Sequence, residues 1–226
     1  LNFEVPTSCQ RNGKCHECVV EIRKGMAALS PPNDAESFLR GDFRLACQAE
    51  VISAEQDIEL AALRRRPKIL TTSPPKQGFE LDSAVRAQDG KVFYEDEEIG
   101  TYRGHLFGLA IDLGTTTVAM ELIDLESGQG VHTCSFENPQ RFGGSDIMHR
   151  ISFDGADGSG ELQRAVAAAI NREIMQFCRD LEFSRHEIYE ITIAANTTMR
   201  DILFKVDVQS VGQRPYKSLI ENQAAA

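Results

Sequence analysis

The feature that most restricts this chain is a set of four cysteines within its first 47 residues. Cys9, Cys15, Cys18 and Cys47 are spaced C-x5-C-x2-C-x28-C. Thiols clustered this densely imply disulfides, a metal site or redox chemistry. No charged-then-apolar leader is read ahead of them, and Cys15 and Cys18 sit too close in a tight loop for an ordinary structural bridge. A thioredoxin-like C-x-x-C has no use for Cys9 or Cys47 and opens a helix in a βαβ setting. Zinc pairs one C-x2-C with a second such pair or with two histidines, and no second pair exists here. A [2Fe–2S] cluster takes three cysteines from one loop and a fourth from a distant strand, as C-x4-C-x2-C…C. The chain follows that plan with one extra residue in the first gap. A cluster held by Cys9, Cys15, Cys18 and Cys47 is therefore the expectation.

The neighbouring residues suit it. Asn12-Gly13 forms a loop tip where a small residue lets backbone N–H groups approach the cluster sulfides. Val19-Val20-Glu21-Ile22 reads as a strand leaving the loop, and Phe43 to Cys47 as a second strand delivering the last thiolate. Pro31 to Glu36 marks a turn and then a helix start, with Phe38 and Leu39 left for the core. His16 lies between two of the cysteines. A Rieske-type centre needs two histidines and no second one is near, so His16 is read as an exposed loop residue.

On these cysteines and on Arg44-Leu45-Ala46-Cys47-Gln48-Ala49-Glu50-Val51, residues 1–62 resemble the adrenodoxin-like [2Fe–2S] ferredoxins of β-grasp fold. The resemblance is strongest to the version found at the N-terminus of reductive activators of corrinoid proteins. Gln10 and Arg11 stand where that family tends to have Gly-Gly. Cys9 also comes too early for the fold's first hairpin and helix, so a truncated ferredoxin domain is expected.

Formal charge is −10, and residues 1–66 are nearly neutral, so the remainder carries the acidity. Wrapping nucleic acid needs clustered Lys and Arg, and the one basic run, Arg64-Arg65-Arg66 before Pro67, reads as solvated linker. No apolar run approaches the ~20 residues of a membrane span. Residues 63–104, punctuated by Pro67, Pro74, Pro75 and Gly78, read as a connector with one or two small strands around Val92-Phe93-Tyr94 and a turn-rich hairpin. No internal repeat is visible.

Residues 105–226 read as α/β. An apolar strand from Leu106 ends in Asp112, then Leu113-Gly114-Thr115-Thr116-Thr117 turns into a second strand, and a third runs near Val131 to Phe136. The turn offers backbone N–H groups and hydroxyls to phosphate oxygens, with Asp112 beside it for Mg²⁺. A plain Gly-Thr hairpin is the competing reading. It is not a Walker loop, because Gly-Lys-Ser/Thr is missing. Asp146 starts one helical pattern, Glu161 to Leu181 another, Ile188 to Ala194 a buried strand, and Asn196-Thr197-Thr198 caps a last helix. Cys134 and Cys178 are expected as core thiols. Asn138-Pro139-Gln140 stays open between a functional loop and a plain turn.

This order, with Asp112 to Thr117, resembles the first ribonuclease-H-like lobe of the actin, Hsp70 and sugar-kinase superfamily. Residues 137–151 and 194–199 are similar to the corrinoid-protein activators in particular. The resemblance implies half an ATP site at Asp112, Gly114, Thr115, Thr116 and Thr117, with Mg²⁺, in a chain read as a piece cut at both ends. It further implies an ATP-dependent reductive activase that returns a corrinoid protein of a methyltransferase system from Co(II) to Co(I). Such a protein would be fed by a reductase or ferredoxin, with no nucleic-acid or membrane partner, in the cytosol, and a homodimer is an admissible assembly. The alternatives are an electron carrier whose second domain is only a scaffold, a small-molecule kinase fused to a ferredoxin, and structural zinc with an actin-like adaptor.

Overall fold

The computed structural model describes residues 5, 9–63, 82–156 and 160–224. In chain order the strands of the first half are β1 (Val19–Lys24), β2 (Phe43–Leu45), β3 (Glu59–Ala62), β4 (Val85–Gln88), β5 (Lys91–Tyr94) and β6 (Glu97–Thr101). They are followed by β7 (Phe107–Leu113), β8 (Thr117–Asp124), β9 (Gly130–Glu137), α1 (Ile147–Ala156), α2 (Glu161–Asp180), β10 (Ile188–Ala195), α3 (Thr197–Leu203) and α4 (Leu219–Ala224). The chain divides into two compact units: Leu1–Arg65 with Glu137–Ile170 and Asn196–Ala226, and Arg66–Phe136 with Asn171–Ala195. No helix among the described residues is long and apolar enough to cross a membrane.

In the first unit β1 is the middle strand of a small antiparallel sheet, β2-β1-β3, pairing Val19 with Leu45 and Ile22 with Leu60. Val20 and Ile22 point inward onto Leu29, with Met26, Ala46, Ala49 and Ile58 around them. Val20 and Ile22 share that face in alternation with Glu21, while Val19, on the other, is buried as well at the start of the strand. The helix expected after Asn33 is a single 3-10 turn, Asp34–Glu36, capped by the Asn33 side chain. It stops there because the Glu36 carboxylate is recruited into the core rather than continuing a helix.

Much of the 137–151 stretch is packed into the interior of the first unit. Asn138 and Gln140 are fully buried, and the Asn138 side chain caps the 3-10 turn Pro139–Gly143 by accepting from the Gln140 N–H. The Gln140 side chain donates to the Leu162 carbonyl at 3.2 Å. Arg150 is 1% exposed and donates to the Gly144 carbonyl at 3.1 Å and to Gln140 Oε1 at 3.3 Å, with the Met199 sulfur 3.3 Å away. Burial pushes the Arg150 guanidinium down to about 10, which leaves it protonated at neutral pH. Arg150→Ala would leave a cavity and unpaired acceptors. A loss of about 2–4 kcal/mol is expected by urea unfolding, against under 1 kcal/mol for an exposed arginine such as Arg23.

In the second unit the connector is more ordered than its composition suggests. β4, β5 and β6 form a complete three-stranded sheet, closed by Asp89-Gly90, both left-handed as a two-residue hairpin requires. Val85, Val92 and Leu106 make its core. The expected strand around Tyr94 and the hairpin over residues 90–104 are present as β5 and β6, with β4 as an addition; residues 64–81, including Pro67, Pro74, Pro75 and Gly78, lie outside the described residues. The larger sheet has the order β10-β7-β8-β9, with β8 antiparallel and β10 parallel to β7. Leu109, Ile111, Leu113, Val118, Met120 and Leu122 line its closed face. β10 was expected as a buried strand, yet Ile191 is 54% exposed. Among the described residues β10 pairs only with β7, so its apolar run sits on a sheet edge.

Candidate functional site

The loop carrying Cys9, Cys15 and Cys18 is bent by its own backbone. Gln10, Arg11, Gly13 and His16 have φ of 53°, 63°, 78° and 58°. A side chain in that region costs about 1–2 kcal/mol, so Gln10 and Arg11 are held where glycine would sit without strain. Gly13 has no such latitude, because a β-carbon there would lie 2.8 Å from that of Ala35. The Asn12 N–H donates to the Cys9 carbonyl at 3.3 Å and closes the turn.

Cys18 leads directly into β1 and is 1% exposed. The Ala46 N–H donates to the Cys18 carbonyl at 2.9 Å, which draws the end of β2 onto the loop. Cys47 does not lie in a strand as expected. β2 ends at Leu45, and Cys47 occupies the turn that follows, where the Gln48 and Ala49 N–H groups donate to the Leu45 carbonyl. A turn frees the thiol from the alternation of a strand and lets it face Cys18.

Cys18 and Cys47 are within hydrogen-bonding contact. Burial, with Cys47 and Cys15 close by, pushes the Cys18 thiol up to about 12. A thiol so placed stays protonated until a cation takes the proton's place, which is how soft thiolate ligands bind iron. No disulfide joins the described cysteines. Among the described residues no three His, Cys, Asp or Glu side chains converge on a single metal ion. A binuclear cluster takes two thiolates on each iron, and the structure brings Cys18 against Cys47 with Cys15 close by.

Two supports were invisible to pattern reading. Gln48 Nε2 donates to the Arg11 carbonyl at 2.7 Å and lies 3.4 Å from Cys47 Sγ, while its Oε1 accepts from Asn33 at 3.0 Å. It therefore ties the turn at Cys47 to the loop at Arg11 and places an N–H against the Cys47 sulfur. Beneath it, Glu36 and Arg44 form a two-pronged pair at 2.8 and 3.0 Å, each 2% exposed. Glu36 also accepts from the Leu45 and Asn33 N–H groups, and Arg44 donates to the Ser30 carbonyl at 2.8 Å. The Asn33-x-x-Glu36 capping box was the one sequence signal for this pair. His16 is a correction. It is 7% exposed rather than on the surface, and its ring stacks on Phe38 at 4.1 Å.

Asp112, the last residue but one of β7, is exposed on the open face of the larger sheet. It lines a shallow cavity of about 270 Å³ with Ala110, Ala119, Glu121, Thr192 and Ala194. Cys134, expected in the core, is half-buried at this cavity, whereas Cys178 is buried as expected. Gly114, Thr115, Thr116 and Thr117 make the β7–β8 turn, in which the Gly114 N–H donates to the Thr117 carbonyl at 3.0 Å. None of these four residues lines the cavity at Asp112.

Such a chain is of the ferredoxin type, a compact cysteine-bearing domain continued by a mixed α/β region. Residues 1–51 match the 2Fe-2S iron-sulfur cluster binding domain, and residues 107–226 match the RACo middle region. The chain belongs to the RACo middle region family. The corrinoid activation enzyme RamQ of Eubacterium limosum is 26% identical over 113 residues, which is 49% of this chain and 19% of that protein. A solved structure described as a reductive activator for corrinoid, iron-sulfur protein shares the fold, with a TM-score of 0.56 at 22% identity over 95% of this chain and 46% of that one. The chain thus spans less than half the length of either relative.

Proposed function

We propose that this chain is the electron-delivering part of an ATP-dependent reductive activator of a corrinoid protein. Cys9, Cys15, Cys18 and Cys47 hold a [2Fe–2S] cluster, within a domain plan of residues 1–62, 63–104 and 105–226. The observation that carries this reading is Cys47 seated against Cys18 on a loop pre-bent by four left-handed residues. When bound, a [2Fe–2S] cluster supplies one-electron transfer. Gln48 offers its N–H to the Cys47 sulfur, which favours added negative charge there, and the buried Glu36–Arg44 pair keeps the loop's shape while charge changes. The acceptor takes one electron, Co(II) becoming Co(I), and a separate reductase or ferredoxin resupplies it. The corrinoid partner is suggested by what the two relatives are named for.

In this reading residues 105–226 form the first lobe of an actin-type fold, and Asp112 to Thr117 contribute half of a Mg²⁺–ATP site. ATP acts by binding two conformations unequally. One observation favours the alternative of an electron carrier with an inert second domain: the Gly114 N–H is already committed to Thr117 and unavailable to a phosphate.

Anaerobic protein reduced with dithionite is expected to show visible bleaching and a rhombic EPR signal, with iron and sulfide in equal amounts. Colourless, EPR-silent protein carrying stoichiometric zinc would reject the reading. For the second half, ATP hydrolysis by a longer form should depend on a corrinoid protein and not on sugars or acetate.

A further inference from the structure

Residues outside the ferredoxin segment reach into its cysteine loop. Glu161, the first residue of α2, brings Oε2 to 2.8 Å from His16 Nδ1. The two atoms are in close contact without the alignment of a hydrogen bond. Glu161 is itself steadied by Arg164, whose Nε lies 3.3 Å from the same oxygen. The other side of the His16 ring rests on Phe38, which meets Phe142 edge-on at 5.6 Å. Phe142 in turn meets Phe153 at 5.6 Å. Arg141 supplies a second tie, reaching Glu21 of β1 at 3.2 Å.

His16 is an unusual place for such anchoring. It separates Cys15 from Cys18, and its φ of 58° is one that a side chain keeps only when its surroundings enforce it. Relaxing that angle would swing Cys15 relative to Cys18 and β1. The enforcing contacts are Phe38 from within the ferredoxin segment and Glu161 from the RACo middle region.

We propose that His16 and Glu161 are a positioning pair for the cluster loop, through which Glu161, with Phe142 behind Phe38, sets the reduction potential of the bound cluster. The proposal rests on the cluster assignment above. Neither residue ligates iron. Glu161 holds the imidazole, the imidazole holds the backbone bend, and the bend spaces two of the thiolates. A carboxylate near the loop also disfavours the added electron, so its neutralisation has a sign as well as a size.

The test is an EPR-monitored redox titration of the full chain, comparing wild type with Glu161→Gln, Glu161→Ala, His16→Ala and His16→Gly. Glu161→Gln is nearly isosteric and should keep the iron content and melting temperature of wild type while moving the midpoint to a more positive value. Glu161→Ala and His16→Ala should add a change in g-anisotropy and faster alkylation of Cys15 in the iron-free protein. His16→Gly accepts φ of 58° without strain but lacks the ring, and it should fail to restore the wild-type midpoint. Iron-loaded Glu161→Gln with an unchanged midpoint and EPR would overturn the proposal, and so would full recovery by His16→Gly. If His16→Ala does not fold, Glu161→Gln still decides. Wild-type protein without iron would instead sink the cluster assignment, a separate result.

Discussion

Glu36→Ala is expected to cost the first unit about 3–5 kcal/mol, the range for removing one partner of a buried ion pair. The mechanism is specific. Arg44, 2% exposed, would keep its charge with only the Ser30 carbonyl to compensate it, and the Leu45 and Asn33 N–H groups would lose their acceptor. Those groups are the scaffold that brings Cys47 to the loop, so cluster retention should fall along with stability. Urea unfolding followed by far-UV circular dichroism measures the loss, and a change under ~1 kcal/mol would refute the argument. The double replacement Glu36→Leu with Arg44→Met should recover most of it, because well-packed apolar groups remove the desolvation cost. The pH dependence has a definite sign. Burial pushes the Glu36 carboxyl up, but hydrogen bonds from Arg44 and from the Leu45 and Asn33 N–H groups outweigh it and hold the group below the usual carboxylate range. Its contribution is therefore complete above the ordinary glutamate value of about 4.3 and is lost as pH falls through the lower folded value. Glu36→Gln lacks that dependence, so its deficit relative to wild type should be largest at neutral pH and shrink in acid.

The second large effect concerns the thiols. Cys18→Ser or Cys47→Ser should drop bound iron from about two per chain to near zero and abolish the visible spectrum, since a hydroxyl is a poor, hard substitute for thiolate. Cys178→Ser, on a buried face of α2, should leave iron and spectrum at wild-type levels. Cys18 gives an independent reading in the iron-free protein. With its thiol pushed up to about 12, it should resist iodoacetamide at pH 8 while half-buried Cys15 reacts. A Cys18→Ser variant with the iron content and spectrum of wild type would remove the basis for electron transfer.

Much of this was legible along the chain. The spacing of the four cysteines, the alternation in Val19 to Ile22 and in β7 and β8, and the Asn196 cap on Met199 all report relations between residues a few positions apart. Local periodicity is a direct record of which side of a strand faces the core. The same logic misread His16 and β10. A histidine beside cysteines looks solvated from its neighbours alone, and what buries it is Phe38 and Glu161, 22 and 145 positions away. An apolar run such as Ile191-Thr192-Ile193 looks buried, but exposure depends on whether a further strand lies alongside it.

The sequence by itself determined the spacing of the four cysteines, the order of strands and helices from β7 to α3, and the turn that follows Asp112, because each follows from side-chain type and short-range geometry. Only the tertiary structure decided that Glu36 and Arg44 share the buried base beneath Cys47, that Gln48 reaches back to Arg11, and that His16 is clasped from α2. Those contacts close long stretches of chain, and loop closure leaves no periodic trace in the residues it brings together.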